Sequence, residues 1–312
     1  MSAPEPAGIL DVLARIARHD DRATGGAQLP PEDWPNRSLS RRQPAGDVDW
    51  HVQRAGAGRP MLLLHGTGAS THSWAGLLPL LAKEHAVLAP DLPGHGFSSA
   101  METPTLPGMA RAVEALLDAE GFTPEVIVGH SAGAALALEL VLGGHCRPSL
   151  VIGLNAALAP YGGLLAPVVQ PLARVVAALS PIASIVAARA RQPDTVERLI
   201  TGTGSSLDDA GIAAYRALFS REEHVAATLA MMAYWDLRPL ERRLKGLACP
   251  LFLIVGDEDR TVPPSQARKT ERRVPRARVC RLAGLGHLAH EERPALVAEA
   301  IREAEAWDGK AR

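Results

Sequence analysis

The chain has 312 residues, 47% of them hydrophobic and 21% charged, enough for a large core and one catalytic domain with an insertion. Its 33 basic and 34 acidic residues leave a formal net charge of −1, which excludes an electrostatic case for binding nucleic acid. Cys146, Cys249 and Cys280 lack CxxC spacing, which suits a reducing compartment and speaks against a disulfide framework or a cysteine-ligated zinc.

Residues 1–45 are rich in proline and charge and read as an extended N-terminal arm with one short helix near 8–18. Glu5, Asp11, Arg15 and Arg18 break up any secretory apolar run, so a cytoplasmic location is expected. Val48-Asp49-Trp50-His51-Val52 alternates with period two, as an early antiparallel edge strand does. Buried-strand runs follow at 61–65, 87–90, 126–129, 151–155, 251–255 and 279–282, with helical segments near 73–83, 108–120, 132–142, 264–273 and 294–306. This alternation predicts an α/β chain with a mostly parallel sheet covered by helices on both faces. The pattern stops between about 158 and 248, which predicts a helical cap inserted into a core made of 46–157 and 249–312. From Asn155 to Ala188 the only charged residue is Arg174, and Pro160, Pro167, Pro171 and Pro181 cut the stretch into pieces too short to span a bilayer. It reads as a roof over an apolar pocket, with a peripheral membrane contact or a partner-docking face as the alternative use.

Chemistry concentrates at four places. Gly129-His130-Ser131-Ala132-Gly133 lies between a strand run and an alanine-rich helix run, the setting of a nucleophile elbow in an α/β-hydrolase. Upstream, Leu62-Leu63-Leu64 ends in His65-Gly66-Thr67-Gly68, where the backbone N–H of Thr67, with that of Ala132, can form an oxyanion hole. Downstream, Gly256-Asp257-Glu258-Asp259 offers two acids; Asp259 is favoured and Asp257 held in reserve, because acids of this superfamily fall in Gly-x-x-Asp with Val-Pro soon after. His287 follows a glycine turn and is the favoured base, with His290 as the alternative. His65, His95 and His130 read as polar ties in tight turns. His72, Trp74 and Trp235 are candidate substrate contacts, and Met231 reads as helix core. The 11 histidines show no HExxH or similar spacing, so neither a metal nor a cofactor is expected.

Beyond the superfamily pattern, the chain resembles the magnesium-chelatase accessory proteins of bacteriochlorophyll biosynthesis, a branch of the α/β-hydrolases. The resemblance is carried by Asp33 to Arg37, Trp50 to Gln53, His65 to Trp74, Asp91 to Ser98, Gly129 to Ala135, Gly153 to Leu158, Thr201 to Ser205, Met231 to Leu237 and Gly284 to Pro294. It implies an eight-stranded α/β-hydrolase fold with a helical cap and a role beside the enzyme that inserts Mg²⁺ into protoporphyrin IX. The chain has no phosphate loop and is not the ATP-driven motor of that reaction. Two expectations follow from the resemblance and the motifs. One is a serine hydrolase with the triad Ser131, Asp259 and His287, acting on an apolar ester-like molecule. The other is an accessory protein that binds a porphyrin or docks on chelatase subunits, with the triad idle.

Overall fold

The computed structural model describes residues 29–159 and 180–307. Eight strands form one sheet: β1 (Ser40–Ala45), β2 (Val48–Ala55), β3 (Arg59–Leu64), β4 (His85–Pro90), β5 (Val126–His130), β6 (Leu150–Leu154), β7 (Leu251–Gly256) and β8 (Ala277–Leu282). Their order is β1-β2-β4-β3-β5-β6-β7-β8. The β1–β2 and β2–β4 pairs are antiparallel and the remaining pairs are parallel.

Helices intervene in chain order: α1 (Leu78–Leu81), α2 (Leu106–Ala119), α3 (Ala132–Leu142), α4 (Ser180–Ala190), α5 (Pro193–Gly202), α6 (Asp209–Phe219), α7 (Glu222–Tyr234), α8 (Arg238–Arg243), α9 (Ser265–Arg273), α10 (Ala289–Glu292) and α11 (Pro294–Ala306). The apolar strand runs serve two cores at once, because successive side chains point to opposite faces. Leu62, Leu64, Ile127 and Leu253 pack under α2 and α3. Met61, Leu63, Val128 and Ile254 pack under α1 and α11 with Trp74.

Three expectations need correction. Residues 40–45, grouped with the arm, are the edge strand β1, paired from Ser40↔Gln53 to Ala45↔Val48, so the antiparallel strand read at 48–52 as an edge lies inside the sheet between β1 and β4. The helix expected at 73–83 is a 3₁₀ turn, Thr71–Trp74, followed by α1. Pro79 has no N–H, and its ring would meet the carbonyl four residues back, so one continuous helix is excluded. Between β6 and β7 the insertion carries the five helices α4 to α8, and the third apolar cluster ties them to the core: Ala190, Val196, Ile200 and Tyr215 of the insertion against Ala69 and Leu288. The expected helix near 8–18 and most of the apolar stretch, residues 160–179, lie outside the described residues. No helix among the described residues is long and apolar enough to cross a membrane.

Candidate active site

Because β3, β5, β6, β7 and β8 run parallel, the loops after them open on one edge of the sheet, where α/β folds place their ligands. Ser131 occupies the sharp turn from β5 into α3 at φ 49° and ψ −115°, a strained conformation for a residue with a side chain. Two glycines make this turn possible. A Cβ on Gly129 would lie 2.5 Å from the Ala134 Cα, and one on Gly133 would lie 2.0 Å from the Leu64 carbonyl oxygen. Helix α3 therefore starts directly against the end of β3. Gly66 is similarly confined, since its Cβ would meet the Ser131 Cβ at 3.1 Å, so the turn carrying Thr67 lies against the nucleophile candidate. The Ala132 N–H, at the first position of α3, is one of those a helix leaves without an intrahelical partner.

The acid and base are in direct contact: Nδ1 of His287 is 2.8 Å from Oδ2 of Asp259, and both residues are only 6% exposed. Asp259 is further held by the Thr261 and Val262 N–H groups, each donating to Oδ1 at 2.8 Å, and by the Asn155 amide, donating to Oδ2 at 2.8 Å. Asp257 is engaged elsewhere, accepting the Gly284 N–H at 2.7 Å and lying 3.7 Å from the Arg281 guanidinium.

Ser131 joins this pair through its neighbours. Its N–H donates to Leu154 O at 2.9 Å, next to Asn155, and the preceding His130 donates through Nε2 to the His287 carbonyl at 2.9 Å. Asn155 is the residue that sequence reasoning left without a role. Its signal is a polar residue directly after a buried strand; the structure adds φ 46° and a bond to Gly286 O at 3.3 Å.

His65 and His95 are buried ties. His65 bonds Gly66 O through Nδ1 and accepts the Leu92 N–H through Nε2, both at 2.8 Å. His95 donates to Pro93 O at 3.2 Å. Burial holds His65 and His130 below the ordinary imidazole range and takes His95 and His290 down to about 3. His290 stands between the rings of Trp74, at 4.8 Å, and His130, at 4.4 Å. Beneath the Thr67 turn, His51 Nδ1 is 2.7 Å from Oδ2 of Asp91, whose other oxygen accepts the Thr71 N–H at 2.6 Å. Burial alone would raise the Asp91 carboxyl; His51, His65 and the Thr71 N–H outweigh it and hold the group well below the usual carboxylate range.

The expected substrate contacts separate. Trp74 has no exposed surface and packs in the core beneath α1 and α11, so it lines no space that even water can enter. His72 is bonded to Ser70 Oγ at 2.8 Å and packs edge-on against Tyr215 of the cap at 4.4 Å, with burial taking it down to about 3. Trp235 follows α7 in the cluster that holds Leu158 and Met231. Met231 is core, and its sulfur accepts from the Thr67 hydroxyl at 3.6 Å. No group of three or more His, Cys, Asp or Glu residues suited to a metal ion occurs among the described residues.

This sheet order, with an elbow after β5 and an acid–histidine pair after β7 and β8, defines an α/β hydrolase. A model of the "Alpha/beta hydrolase family" matches residues 61–300, and the chain belongs to that family. A relative in Rhodobacter capsulatus, the "Magnesium-chelatase 30 kDa subunit", is 41% identical over 265 residues, 84% of this chain and 92% of that protein. That is the branch the sequence motifs resemble. Among solved structures, an alpha/beta hydrolase fold protein from Burkholderia ambifaria superposes with a TM-score of 0.72 at 23% identity, covering 85% of this chain and 97% of its own. An esterase from Thermogutta terrifontis gives a TM-score of 0.66 at 24% identity over 85% of this chain and 97% of its own. At those identities the likeness concerns the fold.

Proposed function

We propose that the chain is a cytoplasmic serine hydrolase acting on an apolar ester-like substrate, in association with magnesium insertion into protoporphyrin IX during bacteriochlorophyll biosynthesis. The observation that carries the reading is the contact of His287 with Asp259 beside a serine strained at φ 49° on the elbow. Strain of this kind persists where a side chain must be presented, and a merely structural serine has no need of it.

In this reading the Ser131 hydroxyl attacks the substrate carbonyl while Nε2 of His287 takes its proton. Asp259 keeps the proton of the imidazole on Nδ1 and stabilises the imidazolium. The N–H groups of Thr67 and Ala132 receive the developing oxyanion. His287 returns the proton to the leaving alcohol, an acyl ester remains on Ser131, and a water activated by His287 releases the acid.

The 41% identical relative is named as a chelatase subunit, which favours a second reading: an accessory protein that docks on chelatase subunits or shelters a porphyrin, with the triad idle. Replacing Ser131 by Ala in a strain lacking the native copy separates the two. The hydrolase reading expects folded variant protein, no labelling by a fluorophosphonate, and magnesium-porphyrin and bacteriochlorophyll at the level of the deletion. Full return of pigment with the alanine variant would reject it in favour of the accessory reading.

A further inference from the structure

Where the cap turns from α5 to α6, Thr203–Ser206 touch both loops that carry the acid and the base. The N–H of Arg260, directly after Asp259, donates to Thr203 O at 3.1 Å. The N–H of Leu288, directly after His287, donates to Ser205 Oγ at 2.8 Å. Glu292 completes the link: one carboxylate oxygen accepts from Gly286 N–H at 3.0 Å and the other from Ser206 N–H at 3.3 Å.

The backbones meet without side chains between them. A Cβ on Gly204, which sits at φ +86°, would lie 2.1 Å from Glu258 O. One on Gly286 would lie 2.3 Å from the carbonyl carbon and oxygen of Gly204 and 2.4 Å from Ser205 Oγ. This is a close strap between an inserted domain and two catalytic loops, with one buried hydroxyl, 3% exposed, at its centre.

Four side chains hold the backbone of residues 286–288. His130 from the elbow holds the His287 carbonyl, Asn155 after β6 holds the Gly286 carbonyl, Glu292 of α10 holds the Gly286 N–H, and Ser205 holds the Leu288 N–H. Only Ser205 comes from the cap. Removing its oxygen leaves a buried N–H without an acceptor, and the loop must shift to satisfy it. The imidazole shifts with the loop, and a displacement of about 1 Å in a catalytic group costs on the order of 100-fold in rate.

We propose that the strap Thr203–Ser206 is part of the catalytic apparatus, with Ser205 as the positioning residue for His287. The cap thereby sets the geometry of the base as well as roofing the site. The effect on rate rests on Ser131, Asp259 and His287 acting as a triad; the effect on the imidazole does not.

The test uses the purified full-length chain and its Ser205→Ala variant, with three readouts: the unfolding midpoint, the ¹⁵N shifts of the His287 imidazole, and the rate of fluorophosphonate labelling at Ser131. We expect a near-native midpoint, altered His287 shifts, and labelling slowed by roughly 10- to 100-fold. Ser205→Cys keeps the shape with a poor acceptor and gives the same readouts if the alanine variant is not recovered folded. Gly204→Ala, which forces the strap off Glu258, gives at least as large a shift change.

A lowered midpoint with unchanged His287 shifts and unchanged labelling would overturn the proposal and leave Ser205 as structural glue. If the native chain itself does not label but the His287 shifts respond to Ser205→Ala, the positioning holds and the hydrolase reading falls. If the native chain does not label and the shifts are unmoved, both fall.

Discussion

Asp257 and Asp259 stand two positions apart on one loop, and sequence favours Asp259 only through the pattern around it. The structure gives each a separate task, the pair with His287 for one and a turn with Gly284 and Arg281 for the other. Asp259→Asn, which keeps the shape but loses the charge and the right tautomer, is expected to slow hydrolysis or labelling by up to about 10⁴-fold. Asp257→Asn should stay within a few-fold of native, and the ratio of the two rates measures the assignment. Ser131→Gly should abolish labelling while raising the unfolding free energy by about 1 kcal/mol, because glycine relieves the strained φ. Denaturant titration of the two proteins checks it. The elbow serine and the Asp259–His287 pair were legible because each residue follows a buried strand with small or turn-forming neighbours. Asn155 and Ser205 were not, because one polar side chain reveals nothing of its partner until the fold brings together residues 104 and 83 positions away.

At the scale of elements, legibility followed burial. Leu251–Gly256 is buried along its whole length and reads as a strand from its apolar run. By contrast, β1 is Ser-Arg-Arg-Gln-Pro-Ala, with one buried residue, and its extended form comes from pairing with β2. Helices α3 and α11 begin and end where composition places them, whereas the segment after Thr71 is divided by a single proline. The junction of α3 with β3 is the least forgiving contact between elements. Gly133→Ala would set a methyl 2.0 Å from the Leu64 carbonyl oxygen, so α3 and the elbow must move together. A loss of about 3 kcal/mol or more is expected, read as a lowered midpoint together with lost labelling.

Over the whole molecule, burial keeps His65, His72, His95, His130, His224 and His290 below the ordinary imidazole range. The native state leaves these rings neutral where the unfolded chain, with a pKa of about 6.5, takes up protons. Stability is therefore expected to fall as pH drops below about 6.5, with several protons bound on unfolding. Glu291 acts on the other side. Burial raises it to about 8, and the Tyr215 hydroxyl donates to it at 2.7 Å. The native state keeps a proton that the unfolded chain releases from its ordinary value of 4.5 upward, so Glu291 costs stability as pH rises towards 8. Thermal midpoints from pH 4 to 9 should pass through a maximum near neutrality, and Glu291→Gln should flatten the decline up to about pH 8 and steepen the rise between about 4.5 and 6.5. A decline of equal steepness in that variant would count against a buried, protonated Glu291.

The bond from His130 to the His287 carbonyl joins residues 157 positions apart, with the cap between them in sequence. A chain emerging from the ribosome therefore exposes its elbow long before Asp259 or His287 exists. At about 5–20 residues per second that interval is on the order of ten seconds or more. During it, the elbow has no His287 carbonyl for His130 to bond. Nascent chains released after β7 would carry the elbow serine without His287, and the full constellation would arrive only with the last strand and the loop behind it.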